Sequence, residues 1–134
     1  MATEPTERRG FLYPDEVFRI RGAIFEVNRE MGSGFLEGVY QECLALEFAA
    51  CGIPFVATPS LPLIYKGRSL AKTYIPDFVC FSKIVAELKA VSTLGGEHRS
   101  QVLNYLKLKA GDFRVGLLVN FGSAPKAQIE RLIL

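Results

Sequence analysis

The sequence has no tryptophan, a single histidine and three cysteines among its 134 residues. One histidine cannot build a cluster of histidine ligands, and three cysteines without metal-binding spacing fit a reducing compartment better than a disulfide framework. No apolar run reaches the roughly 18 residues of a membrane span. The first nine residues are polar with no hydrophobic segment behind them, which argues against a secretory signal. We therefore expect a cytoplasmic protein without a membrane partner.

Lysine is absent from the first 60 residues, so the charge is unevenly distributed. Residues 1–60 carry five arginines and nine acids, a balance of −4, whereas residues 61–134 carry eleven basic residues and five acids, a balance of +6. This asymmetry is compatible with a surface that faces a polyanion. A balance of +6 nevertheless falls well short of the basicity of a dedicated DNA-binding domain.

The length and the composition predict one folded domain. The chain is 49% hydrophobic and 22% charged, which excludes a disordered tail and a coiled coil. We expect a flexible N-terminal lead over residues 1–12, followed by a single domain over residues 13–134.

Periodicity predicts a mixed α/β (α+β) chain. Apolar residues recur every three or four positions from Pro14 to Met31, which indicates a helix. Two apolar rows from Gly34 to Ala50 predict a second helix, buried over about half its circumference. The remaining predicted elements are strands at Leu61–Tyr65, Tyr74–Phe81 and Ile84–Val91, a helix from Glu97 to about Ala110, and strands at Phe113–Asn120 and Gln128–Leu134. The middle pair of strands is expected to form a hairpin.

Charged residues inside the apolar strands are the main candidates for chemistry. Asp77 is expected on the same strand face as Ile75 and Val79, and Glu87 and Lys89 share a face of the next strand roughly 7 Å apart. Hairpin pairing can bring Asp77 close to Glu87. Two carboxylates with a nearby ammonium suit a hard divalent cation such as Mg²⁺, which one or two carboxylates, water and substrate phosphate typically hold.

A structural ion pair explains the same three residues about equally well. In this interpretation Lys89 neutralises Glu87 at a sheet edge, and Asp77 merely follows Pro76 in a bend. The pattern D…ExK is short and arises often by accident.

Three further residues favour a functional site. Glu37 lies in the first turn of the second helix, although an acid in that position also stabilises the helix dipole. Gln101 and Tyr105 are four residues apart and share one face of the third helix. For Tyr105 a simple packing role is the strong alternative.

Four motifs in fixed order resemble the GxxExxY protein family of the PD-(D/E)XK nuclease superfamily. They are Gly34-Phe35-Leu36-Glu37-Gly38-Val39-Tyr40, Pro76-Asp77, Glu87-Leu88-Lys89 and Gln101-Val102-Leu103-Asn104-Tyr105. The similarity runs from about Ile20 to Leu134. It implies a restriction-endonuclease-like core of order α-β-β-β-α-β, with a mixed central sheet flanked by helices. The predicted elements follow this order with an extra N-terminal helix and a C-terminal strand.

The resemblance also implies roles for individual residues. Asp77 and Glu87 match the metal-binding acids, with Glu37 as a further acid, and Lys89 matches the catalytic lysine. Gln101 and Tyr105 match a QxxxY motif found in a nuclease branch that includes DNA-processing enzymes. One departure is Asn28, where relatives tend to carry histidine.

The expected function is a Mg²⁺- or Mn²⁺-dependent phosphodiesterase that acts on nucleic acid, with DNA favoured over RNA. The alternative is a catalytically silent module that keeps the nuclease fold and binds nucleic acid or a protein partner as an accessory subunit. A chain of 134 residues has little room for a separate targeting domain, so either function favours a homodimer or a partner protein.

Overall fold

Residues 12–109 and 111–134 of the computed structural model form three helices and seven strands. The helices are α1 (Pro14–Met31), α2 (Glu37–Ala50) and α3 (Gly96–Leu106). The strands are β1 (Phe55–Ala57), β2 (Leu61–Tyr65), β3 (Arg68–Tyr74), β4 (Phe78–Cys80), β5 (Ile84–Lys89), β6 (Val115–Asn120) and β7 (Gln128–Ile133). The predicted lead lies outside the described residues except for Leu12, which packs against the core.

Five strands form one mixed sheet in the order β1-β4-β5-β6-β7. Strands β5 and β6 are parallel, and the other neighbouring pairs are antiparallel. A parallel pair needs a crossover connection, and α3 provides it between β5 and β6. Helix α2, the strands β1, β4 and β5, helix α3 and strand β6 give the predicted order α-β-β-β-α-β. The predicted fold class is confirmed, with α1 and β7 as the additional elements.

The helices cover both faces of the sheet. Helices α1 and α2 pack on the face that carries Ile84, Ala86 and Leu88, and α3 packs on the opposite face through Val102 and Tyr105. All six residues of β6 are buried, as its almost wholly apolar sequence predicts. The structure therefore has an apolar layer on each side of β5, the strand that carries Glu87 and Lys89.

The predicted burial of half of α2 is wrong. Only the row Tyr40, Leu44 and Phe48 is buried, whereas Leu46 is 70% exposed. Helix α2 contacts α1 and β5, and these contacts cover one stripe of its surface. Apolar residues alone cannot tell a helix with two packed sides from a helix with one.

Two strand predictions also need correction. The segment Leu61–Tyr65 pairs with β3 in a separate two-stranded hairpin, and the short β1 takes the place predicted for it in the central sheet. The predicted strand Tyr74–Phe81 is interrupted, and Asp77 lies in a bend just before β4. Pro76 explains the interruption because it has no N–H for a ladder hydrogen bond. Asp77 therefore does not share a strand face with Ile75, which is 54% exposed.

No helix in residues 12–109 and 111–134 is both long enough and apolar enough to cross a bilayer.

The contact between α3 and β6 depends on a glycine. A Cβ atom added at Gly116 would lie 2.4 Å from Val102 Cγ1, and Val102 is fully buried and stiff at χ1. We expect Gly116→Ala to lower the free energy of unfolding by about 1–3 kcal/mol through overpacking. Urea denaturation measures the change.

Gly38→Ala is the matched control, because no atom lies within 4 Å of a Cβ at that position in α2. It should leave stability unchanged or raise it slightly. Equal stabilities of the Gly116→Ala and Gly38→Ala proteins would contradict the close packing of α3 on β6.

Candidate active site

The antiparallel pairing of β4 and β5 brings Asp77 and Glu87 together. Phe78 pairs with Ala86, so Asp77, one residue before Phe78, reaches the level of Glu87. The backbone N–H of Asp77 donates to Glu87 Oε1 at 3.1 Å, and the N–H of Leu88 donates to Asp77 Oδ2 at 2.7 Å. Each carboxylate is thus held by the backbone of the opposite segment.

Lys89 completes this cluster from the end of β5. Its Nζ lies 3.6 Å from Glu87 Oε2, and the side chains of Lys89 and Glu87 are only 15% and 6% exposed. The two residues are two positions apart on one strand and therefore share a face. Asp77, Glu87 and Lys89 are called the acid cluster below.

Burial dominates the electrostatics of the acid cluster. Loss of water raises the pKa of Asp77 and of Glu87, and the neighbouring Asp77 charge raises the pKa of Glu87 further. The Lys89 ammonium acts against both shifts but does not cancel them. Two buried acids with one ammonium form a site that additional positive charge would stabilise.

Gln41 is a site residue that the sequence reasoning missed. Its Nε2 donates to Asp77 Oδ1 at 2.7 Å, so both oxygens of Asp77 accept a hydrogen bond. The available signal was the four-residue spacing from Glu37, which puts Glu37 and Gln41 on one face of α2.

Glu37 lies near the acid cluster at the exposed start of α2. Partial loss of water and then the charge of Asp77 raise the pKa of Glu37, while Lys89 and His98 lower it. Glu37 thus interacts electrostatically with the cluster. Its role as a metal ligand stays a prediction, because residues 12–109 and 111–134 contain no group of three His, Cys, Asp or Glu residues that could hold a metal ion.

Gln101 and Tyr105 lie beside the cluster on α3, where the predicted spacing brings them into contact. Gln101 Nε2 donates to the Tyr105 hydroxyl at 3.2 Å, and the Tyr105 ring meets Tyr74 edge to face at 5.6 Å. The three side chains line an open cavity of about 420 Å³. Burial, and secondly the charge of Glu87, raise the pKa of Tyr105, so its hydroxyl stays protonated at neutral pH.

Tyr40 has a structural role in the loop before α2. Its hydroxyl donates to the Gly32 carbonyl at 2.6 Å and accepts from the Phe35 N–H at 3.3 Å. Its ring stacks on Phe121 at 4.4 Å. Tyr40 thereby fixes the loop that leads into α2 and hence the position of Glu37.

Three other polar residues also hold backbone segments. His98 Nδ1 accepts from the Gly95 N–H at the start of α3, and buried Asn28 accepts from the Ala127 N–H. Asn120, paired with Lys89 across β5 and β6, bonds both the N–H and the carbonyl of Val91. The Asn28 side chain is thus occupied by a structural hydrogen bond.

The donor set of the acid cluster suits Mg²⁺ or Mn²⁺. Asp77 and Glu87 provide hard carboxylate oxygens, and two carboxylates are enough for a cation that keeps several waters. Burial raises the pKa of both carboxyl groups, and Lys89 is the cation that acts against these shifts. The residues therefore fit a divalent cation.

One of three comparisons with known proteins identifies a superfamily. The sequence matches the family model of the PD-(D/E)XK nuclease superfamily over residues 14–132. The crystal structure of SSO0001 is similar to this chain with a TM-score of 0.45 and 13% identity, over 87% of this chain and 76% of that chain. A likeness this distant adds nothing to the assignment, and no curated protein matches the chain. From the family match, the chain belongs to the PD-(D/E)XK nuclease superfamily.

The buried acids predict an unusual pH dependence of stability. The unfolded chain releases the Glu87 proton near pH 4.5, whereas the folded protein holds it until about pH 8. Because the folded state binds more protons between these values, the free energy of unfolding of the metal-free protein should fall as pH rises from 4.5 to 8. Urea denaturation in EDTA across this range measures the slope.

Glu87→Gln should reduce that slope, and Glu42→Gln, at an exposed acid of α2, should not. If the wild type and the Glu87→Gln protein lose stability equally as the pH rises, the pKa of Glu87 is not raised.

Proposed function

We propose that this chain is a metal-dependent nuclease that hydrolyses phosphodiester bonds, in DNA by preference and otherwise in RNA. The observation that supports the proposal is the acid cluster: Asp77 and Glu87 are joined across β4 and β5, with Lys89 3.6 Å from Glu87. The chain belongs to a superfamily of nucleases. In a nuclease, two acids and a lysine at one site can act together on a phosphodiester bond.

Asp77 and Glu87 would hold the cation, Mg²⁺ or Mn²⁺. When bound, such a cation polarises the phosphate and lowers the pKa of an attacking water. Gln41 and the Leu88 N–H keep the Asp77 carboxylate in a fixed orientation, which favours binding because the ligand needs little reorganisation.

Lys89 supplies the positive charge for the reaction. Its ammonium is mostly shielded from bulk water, and electrostatic stabilisation of negative charge is strongest in such surroundings. In the proposed mechanism Lys89 orients the attacking water and stabilises the charge that develops on the phosphate. The Gln101 amide positions that water or a backbone phosphate, and Tyr105 orients Gln101. Glu37 would help to hold the cation through a water molecule.

Within the superfamily, we place the chain with the GxxExxY proteins. The structure supplies a reason for the motif, since Tyr40 fixes the loop before α2 and Glu37 begins that helix. Gly34 lies in the same loop with φ of +109°, a conformation that favours glycine.

One observation favours a second candidate, a silent module that binds nucleic acid or a protein partner. Both Asp77 oxygens and Glu87 Oε1 accept hydrogen bonds from protein donors, and Glu87 Oε2 faces Lys89. A cluster with this many internal partners can persist without a cation. In this case the acid cluster is a structural ion pair, and the chain acts as an accessory subunit to a partner protein that supplies the activity.

Activity assays separate the two candidates. Wild-type protein with Mn²⁺ or Mg²⁺ should cleave at least one of single-stranded, duplex or branched DNA, or RNA. Asp77→Asn and Lys89→Ala should each reduce the rate at least 100-fold, since a preorganised charge at the reaction centre typically contributes that much. Gel analysis of labelled substrates measures the rate.

Asp112→Asn and Lys126→Ala are matched controls at exposed positions and should cleave like wild type. Equal rates of the wild type and Lys89→Ala on every substrate, including equal absence of cleavage, would contradict the nuclease assignment.

Thermal melts test the cation independently of turnover. Mg²⁺ at ten times its Kd should stabilise the wild type by about 1.4 kcal/mol and leave Asp77→Asn unaffected. Without metal, Asp77→Asn should be as stable as the wild type or more stable, because an amide relieves the burial of a charge. Lys89→Met should be less stable, because it removes the cation that offsets both acids.

A wild type indifferent to millimolar Mg²⁺ and Mn²⁺, together with a destabilised Asp77→Asn protein, would support the structural ion pair instead.

A further inference from the structure

The β2–β3 hairpin has a one-sided charge. Residues 58–76 contain three basic residues, Lys66, Arg68 and Lys72, and no acidic residue. All three are exposed. Among residues 12–109 and 111–134, none of them forms an ion pair with an acid or with a chain terminus. Their charges are therefore available to a partner.

The hairpin packs against the domain at its base. It is a two-stranded sheet separate from the central one. Leu61 and Tyr74, partners at the base, pack against Val79, Val85 and Tyr105. Strand β2 advances four residues from Leu61 to Tyr65, which puts the tip about 13 Å beyond the base at roughly 3.3 Å per residue.

The base of the hairpin lies beside the candidate active site. Tyr65 and Arg68 are register partners at the tip, as Leu61 and Tyr74 are at the base. Between the two pairs β2 advances four residues and β3 six, because the register shifts at a bulge. Tyr74 lines the cavity that also contains Gln101 and Tyr105. An exposed aromatic ring and a guanidinium thus lie at the tip of a hairpin whose base forms one wall of this cavity.

We infer that the β2–β3 hairpin is an arm that binds the sugar–phosphate backbone of the nucleic acid and guides the strand toward the acid cluster. Lysine and arginine side chains neutralise backbone phosphates. The exposed Tyr65 ring, whose centroid lies 5.6 Å from Lys66 Nζ, can stack on a base. A length of about 13 Å matches roughly four nucleotides of a B-form strand. The inference rests on the proposed function, since it assumes that nucleic acid is the substrate.

The test compares two triple variants that lose the same charge. The arm variant carries Lys66→Gln, Arg68→Gln and Lys72→Gln. The control variant carries Arg21→Gln, Arg29→Gln and Lys126→Gln, at exposed positions on α1 and in the loop between β6 and β7. Fluorescence anisotropy in EDTA follows the binding of a labelled 30-nucleotide single strand and its duplex from about 0.05 to 0.3 M salt.

The arm variant should bind at least tenfold more weakly at about 0.1 M salt. Its slope of log K against log salt should fall by about two units on the single strand, because three phosphate contacts contribute roughly 0.7 each. The control variant should change affinity less than threefold. In Mn²⁺ the arm variant should show a raised KM with little change in kcat, and melting temperatures near wild type would confirm that both variants fold.

Other outcomes overturn the inference in distinguishable ways. If the arm and control variants have equal affinities for nucleic acid and equal salt slopes, the hairpin is not a binding arm, and the nuclease proposal is unaffected. A wild type that neither binds nor cleaves any nucleic acid would overturn both. Tighter binding of an oligoglutamate peptide than of DNA would assign the hairpin to an acidic protein partner. If the arm variant does not fold, Arg68→Gln alone must reduce the single-strand slope by about 0.7, and an unchanged slope rejects the arm.

Discussion

A buried and a half-buried carboxyl group beside the Lys89 ammonium are the constraint on which the rest of this structure depends. Asp77 and Glu87 lie where water is largely excluded, and both have raised pKa values for that reason. A fold selected for stability alone has little reason to bury a second acid there, since unpaired charge in a protein interior is costly. The surrounding elements accommodate the cost: backbone N–H groups and Gln41 supply hydrogen bonds, and Lys89 supplies one positive charge. A divalent cation would supply the rest, and this connects the energetics of the cluster to the proposed chemistry.

Two strand pairings and two side-chain contacts position the cluster. Antiparallel pairing of β4 with β5 sets Asp77 against Glu87, and parallel pairing of β5 with β6 sets Lys89 against Asn120 at the end of both strands. Asn120 in turn holds Val91, so the chain leaves β5 in a fixed direction toward α3. Tyr40 fixes the approach to α2 on the other face of the sheet. Glu87 and Lys89 therefore lie on the buried strand β5, and hydrogen bonds hold Asp77 in the bend before β4. The β2–β3 hairpin is a separate sheet whose base packs beside them.

Local sequence patterns predicted the individual helices and strands of this fold better than the way in which these elements pair and pack. The apolar spacing of α1 and the almost wholly apolar sequence of β6 were sufficient to predict these two elements, because one hydrophobic pattern dominates each. The hairpin of β4 and β5 followed from strand composition and a short link, and it correctly placed Asp77 near Glu87. Sequence periodicity could not show that Pro76 puts Asp77 in a bend, that β1 replaces β2 in the central sheet, or that only one row of α2 is covered. Gln41 was missed for the same reason, since its importance arises from a hydrogen bond across 36 positions of the chain.

The central claim is that Asp77 and Glu87 together bind a divalent cation. Crystals of the wild-type protein soaked in Mn²⁺, with diffraction recorded where manganese scatters anomalously, test it most directly. The account predicts an anomalous peak within about 2.0–2.3 Å of one oxygen from each carboxylate, completed by water oxygens. It also predicts that the peak disappears in Asp77→Asn crystals soaked in the same way. Wild-type crystals that show Mn²⁺ at other acidic side chains and no peak at this pair, with Asp77 still bonded to Gln41 and Leu88, would contradict the account.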